Sequence, residues 1–297
     1  MTTAFVLSGG GSLGAVQVGM LQALAARGVA PDLLVGTSAG ALNAGYVAGH
    51  GLTSSSLDDL AAIWTGLRRR DVFPLHAGRL AAAAVGRAPS LCANEPLRRL
   101  IERNVGLDRI EDATIPLHVV ATDVRNGDEV VLSAGDATDA ILASAAIPAV
   151  FPAVRVGDRH LVDGGVADNA AVSQAVALGA DVVYVLPTGY ACALPAPPAT
   201  PLSSAMHALT LLIEQRLVLE VAHLAERVDI RVLPPLCPLS VSSTDFGQAA
   251  LLIERSRTAT ARWLDQDGPS LAHPERFLSL HHHSFTTHHH DHGGQAA

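Results

Sequence analysis

Residues 32–40 read DLLVGTSAG, an apolar run that passes without a spacer into Gly36-Thr37-Ser38-Ala39-Gly40. The run has the length and composition of a buried strand, and the alanine-rich stretch from Ala39 onward has those of a helix. Between them lies G-x-S-x-G, the pattern of a sharp strand-to-helix turn that lifts a serine clear of a sheet. Glycine is needed at 36 and 40 because side chains there would strike the neighbouring strand and helix. Ser38 would also stand at the start of a helix, where free N–H groups and the helix dipole favour developing negative charge.

Upstream, AFVLS (4–8) reads as another buried strand and Leu13 to Arg27 as a helix closed by Gly28. GGGSLG lies between them, with Gly9, Gly11 and Gly14 in the spacing G-x-G-x-x-G of a dinucleotide loop. A nucleotide site would also place an acid at the end of the next strand to hold the ribose. Here Asp32 begins that strand and GTSAG ends it, so the ribose ligand is missing from its place. Nucleotide binding through GGGSLG stays as a lesser alternative.

Downstream the alternation continues. PLHVVATDV (116–124) and DEVVLSAG (128–135) form a strand pair about Asn126-Gly127, a dipeptide suited to tight hairpin turns. Asp136 is placed to cap a helix running through Ala145. RHLVDGG (159–165) is a short strand entering a turn, and DVVYVLP (181–187) another buried strand. Helices are expected around 56–67, 94–103, 202–226 and 246–265, with the strand DIRVL at 229–233; the segment 77–90 carries no clear assignment. Alternating strands and helices define an α/β protein, a three-layer α/β/α sandwich about a mainly parallel sheet.

Asp163, followed by Gly164 and Gly165, ends a strand and is left uncovered by two residues that let the chain turn away. Within about 3 Å of a serine hydroxyl such a carboxylate takes the proton directly, as a general base must. Glycine-loop N–H groups, an elbow serine and an acid then make a set that can attack an acyl carbon and hold the resulting oxyanion. An ordinary α/β-hydrolase layout does not fit, since the elbow follows the second strand. His50, His76, His118, His160, His207 and His223 lie in no motif.

These blocks resemble the patatin-like phospholipase family. GGGSLG (9–14), GTSAG (36–40), ASAAIP (143–148) and DGG (163–165) occur in that family's order, over about residues 4–187. The resemblance implies that Ser38 is the nucleophile, Asp163 the base, and the N–H groups of Gly9, Gly10 and Gly11 the oxyanion hole. Gly14, Gly36, Gly40, Gly164 and Gly165 shape the turns. The implied activity is hydrolysis of lipid carboxylic esters, with no metal or organic cofactor. Leu13 departs from the family, which commonly carries Arg or Lys there. The departure removes a cation beside the oxyanion hole, and bears on anionic phospholipids more than on ester hydrolysis. It also motivates a second alternative, a lipid-binding or regulatory protein with little turnover.

Composition narrows the setting. All twenty basic residues are Arg, which excludes a Schiff-base lysine, a P-loop lysine and a Ser-Lys dyad. A net charge of −8 with 16% charged residues speaks against a nucleic-acid surface. Cys92, Cys192 and Cys237 are odd in number and widely spaced, against a disulfide framework and in favour of a reducing, cytoplasmic setting. Residues 1–26 lack the basic n-region of a signal peptide, and prolines interrupt the uncharged stretch 182–213, so no membrane span is expected. Transient contact with a membrane surface is compatible with a lipid substrate. The expected organisation is a catalytic region at 4–187, a segment at 188–266 completing or flanking it, and a disordered histidine-rich tail at 267–297.

Overall fold

The computed structural model describes residues 1–190, 192–194, 196–199, 201–266 and 273–278. Eight strands form one sheet: β1 (Thr3–Leu7), β2 (Leu33–Thr37), β3 (Leu117–Asp123), β4 (Glu129–Leu132), β5 (Val154–Val156), β6 (Arg159–Asp163), β7 (Val182–Leu186) and β8 (Asp229–Val232). The main path runs β5-β6-β3-β2-β1-β7-β8, with β4 pairing β3. Strands β3, β2, β1, β7 and β8 are mutually parallel, and β4, β6 and β5 are added antiparallel.

Helices cover both faces: α1 (Gly14–Ala25), α2 (Ala39–His50), α3 (Ser54–Gly66), α4 (Arg69–Val72), α5 (Ala77–Ala84), α6 (Glu95–Asn104), α7 (Ala137–Ser144), α8 (Val172–Ala177), α9 (Pro201–Leu224) and α10 (Ala249–Asp265). Strand β1 shows why two layers are needed. Phe5 and Leu7 enter one core, with residues of α1, α2, α6, α7 and α10, while Ala4 and Val6 enter a second, with α8 and α9. A strand alternates its side chains between faces, so an unbroken apolar strand requires helices on both.

The main expectations are met by this mixed α/β architecture, and several details differ. The helix expected from Leu13 begins as a 3-10 turn at Gly11–Leu13, and the stretch without assignment contains α5. Strand β5 and helix α8, of three and six residues, are too short to show a period. Most of the expected histidine-rich tail lies outside the described residues. Within it, Pro274–Phe277 forms a 3-10 turn and Leu278 is buried in the second core.

The pairing of β3 positions the site. Strand β4 runs along Val119–Thr122 of β3, so the other two partners of β3 share its opposite edge. On that edge β2 ends with Thr37 opposite Val120, and β6 ends with Asp163 opposite Ala121. Strands β2 and β6 therefore meet end to end. The residues that follow, Ser38 and Gly164, emerge at the same point of the sheet.

Candidate active site

Ser38 holds φ 53° and ψ −121°, a conformation that side chains rarely adopt, worth about 1–3 kcal/mol of local strain. Its surroundings hold it there. The Ser38 N–H donates to Ser144 Oγ at 2.8 Å, and the Ser38 carbonyl accepts from the N–H groups of Ala41 and Leu42 at the start of α2. Ser144 Oγ in turn donates to the Val120 carbonyl on β3. The flanking glycines are sterically forced: a Cβ on Gly40 would lie 2.1 Å from the Leu7 carbonyl oxygen, and one on Gly36 2.7 Å from Ala41 Cα.

The Ser38 hydroxyl donates to Asp163 Oδ2 at 2.7 Å. The other carboxyl oxygen, Oδ1, accepts from the Gly165 N–H at 2.8 Å, and Thr122 Oγ1 donates to the Asp163 carbonyl. Gly164 must lack a side chain because its Cβ would sit 2.3 Å from the Val120 carbonyl oxygen. Asp163 is 7% exposed. Burial pushes its carboxyl up to about 6, outweighing the Ser38 and Gly165 hydrogen bonds that favour the ionised form. A carboxylate so placed is a stronger base than an exposed aspartate and still ionised at neutral pH.

The glycine loop passes beside this pair, but its three N–H groups are not equivalent. The Gly9 N–H already donates to the Asn169 carbonyl at 3.2 Å and to Asn169 Oδ1 at 3.1 Å. The expectation that Gly9 supplies an oxyanion donor is therefore corrected: this N–H locks the loop to the turn after Asp163. Among the described residues, Gly10 and Gly11 N–H have no acceptor. Thr188 Oγ1 donates to the Gly9 carbonyl at 2.7 Å. Since C=O and N–H of a trans peptide point opposite ways, this bond aims the Gly10 N–H away from Thr188. The Gly10 carbonyl accepts from Leu13 N–H, which fixes the next peptide in the same manner. Gly11 has φ 58°, and a Cβ there would lie 2.4 Å from the Ser243 carbonyl oxygen. Gly14 abuts the Trp64 indole, leaving no room for a side chain.

A cavity of about 480 Å³ is lined by Gly9, Gly10, Gly11, Ser38 and Asp163. A second, apolar cavity of about 60 Å³ also reaches Ser38 and runs among Leu42, Tyr46, Trp64 and Phe151. Ser38 thus stands where a narrow apolar slot meets a wider, partly polar chamber. Leu13 is buried and lines the wide chamber, and Arg69 lies in its wall. Of the motif-free histidines, His207 lines the same chamber. Among the described residues no group of three or more His, Cys, Asp and Glu is placed to hold a metal ion, and no helix is long and apolar enough to cross a membrane.

Three contributors to this geometry are not evident from sequence. Asn169 reads as a turn residue but clamps Gly9, Thr188 carries no signal, and Ser144 reads as a wall residue but holds the Ser38 N–H. ASAAIP is the sole local hint of the last.

Fold and site define an α/β protein in which an elbow serine and a buried carboxyl share one hydrogen bond beside a glycine loop. The chain belongs to the patatin-like phospholipase family, whose family model matches residues 5–176. An uncharacterized NTE family protein of Mycobacterium bovis is 32% identical over 198 residues, 67% of this chain and 52% of that protein. Lysophospholipase nte1 of Neurospora crassa is 27% identical over 191 residues, 62% of this chain and 12% of that one. The chain thus spans about half the length of the mycobacterial relative and a small part of the fungal one. Among solved structures, VipD from Legionella pneumophila matches 89% of this chain and 67% of its own, with TM-score 0.47 and 16% identity.

Proposed function

We propose that this chain is a serine acyl hydrolase that cleaves carboxylic esters of lipids, with Ser38 as nucleophile and Asp163 as base. The observation that carries the reading is the 2.7 Å hydrogen bond from Ser38 Oγ to a buried carboxyl. Asp163 accepts the hydroxyl proton as Ser38 Oγ attacks the ester carbon, and the carbonyl oxygen gains the displaced electron pair. The Gly10 and Gly11 N–H groups receive that oxyanion. Collapse of the intermediate breaks the bond to the alcohol, which leaves with the proton from Asp163. Water, deprotonated by Asp163, then attacks the acyl-Ser38 ester, and the acid departs as Ser38 Oγ takes that proton back from Asp163.

Family membership supports an ester of a lipid as substrate, and the apolar slot beside Ser38 suits a hydrocarbon chain. No step requires a metal or organic cofactor. Leu13 leaves the oxyanion to backbone donors alone, each worth about 10²- to 10³-fold in rate.

The test is hydrolysis of a medium-chain p-nitrophenyl ester by the purified protein. Ser38→Ala and Asp163→Asn are each expected to lower kcat by about 10⁴-fold or more. In the wild type kcat/KM is expected to rise with pH through about 6, as Asp163 loses its proton. Wild-type turnover in either variant refutes the assignment. Rapid labelling of Ser38 by a fluorophosphonate separates an enzyme from a lipid-binding protein that keeps the fold.

A further inference from the structure

Helix α9 buries Leu217, Val221 and Leu224 against the sheet in the second core. The spacing of these residues, three to four apart, marks a single stripe of the helix. Continued toward the N-terminus, that stripe passes through Glu214, Thr210 and His207, and all three line the wide chamber beside Ser38. Helix α9 therefore covers the sheet with its C-terminal half and walls the chamber with the half before it. Glu214 stands at the changeover, where the pattern asks for an apolar residue.

Its situation there is costly. Glu214 is 4% exposed, and no group among the described residues donates a hydrogen bond to it. A carboxyl largely removed from water, with the chamber rather than a protein donor before it, is costly to ionise. Burial alone pushes Glu214 up to about 7. Leucine in its place would continue the stripe at no such cost. A residue that breaks its local pattern without compensation within the chain marks a functional position.

The two cavities that meet at Ser38 have different chemistry. The narrow one is apolar and suits the acyl chain. The wide one carries Glu214, His207 and Arg69 beside apolar residues, and offers polar positions suited to the alcohol part of an ester. We infer that Glu214 is the selectivity residue of a leaving-group subsite, accepting a hydrogen bond from a hydroxyl or ammonium group on the alcohol portion and disfavouring an anionic one. The inference deepens the hydrolase reading and rests on it. It also agrees with Leu13, which puts no cation beside the glycine loop and leaves Arg69 as the guanidinium in the chamber wall.

The test uses binding rather than turnover, with octylammonium, 1-O-octylglycerol and octyl phosphate as non-hydrolysable probes, measured by titration calorimetry near pH 8.5, where Glu214 is ionised. Wild-type protein is expected to bind the ammonium and glycerol probes at least about 10-fold more tightly than the phosphate. Glu214→Gln keeps an acceptor but loses the charge, and is expected to narrow the ammonium-to-phosphate ratio by about 10-fold. Glu214→Leu removes the acceptor as well and should in addition weaken the glycerol probe. If the ammonium is the group recognised, the first variant shows the loss; if a hydroxyl, the second. Both variants relieve a buried acid, so unfolding should occur at or above the wild-type temperature. Equal affinity ratios in the wild type and both variants overturn the inference. Selective binding without ester turnover by wild-type protein leaves Glu214 in this role and counts against the hydrolase reading; turnover with unchanged ratios does the reverse.

Discussion

Replacing Asp163 by Asn is expected to abolish hydrolysis and to stabilise the protein, the more so as pH rises. The carboxyl moves from 3.8 to about 6 on folding because it is buried. At about 1.4 kcal/mol per pH unit, that rise corresponds to about 3 kcal/mol. Below pH 3.8 the folded and unfolded chains are both protonated there, and the group contributes nothing against folding. Between 3.8 and about 6 the unfolded chain releases its proton first, so stability falls as pH rises. Above about 6 the loss is complete. Asparagine cannot ionise, its oxygen still accepts from the Gly165 N–H, and its amide can donate to Ser38 Oγ. The stability difference between variant and wild type should therefore widen by about 2 kcal/mol between about pH 4.5 and about pH 8. Urea unfolding of both proteins across that range measures it. Glu214 and Glu220 are also raised, each to about 7, so the wild-type curve alone mixes several groups. Taking the difference between the two proteins cancels them. A difference that does not change with pH would refute burial as the cause of the raised Asp163 value.

Other perturbations probe the scaffold around the pair. Ser144→Ala strips the Ser38 N–H and the Val120 carbonyl of their shared partner, and is expected to cost about 2 kcal/mol or more in urea unfolding and to lower kcat. Thr188→Val keeps the shape but removes the donor to the Gly9 carbonyl; kcat should fall about 10-fold with little change in KM, and Thr188→Ser should restore it. Gly40→Ala drives a methyl group to 2.1 Å from the Leu7 carbonyl oxygen and should prevent accumulation of folded protein, read by solubility and circular dichroism. Gly179→Ala, at φ 90° but in open space, should by contrast cost only about 1 kcal/mol in the same unfolding assay.

Local steric demands make much of this molecule legible in its sequence. Gly36, Ser38 and Gly40 describe an elbow because strand, turn and helix follow within a few residues; Gly36 answers contacts with near neighbours, although Gly40 answers one with the Leu7 carbonyl of β1. Asn126-Gly127 announces its hairpin for the same reason, and Gly127 takes φ 77° there. Unbroken apolar runs identify β1, β2 and β7 as strands covered on both faces. The order of the motif blocks carries the family.

Contacts between distant parts of the chain are set by tertiary structure instead. Nothing near Gly9 reveals that its N–H is held by Asn169, 160 residues on, or that Thr188 aims the peptide of Gly10. Glu214 reads locally as one charge on an amphipathic helix, and becomes a buried acid only because α9 runs past the edge of the sheet packing to wall a chamber. Ser38 and Asp163 lie 125 positions apart. They share a hydrogen bond because β4 occupies one edge of β3 and leaves β2 and β6 to end against each other on the opposite edge. Side-chain type and local spacing are written in the chain, whereas strand register is settled only when all of the strands pair and bury their faces together.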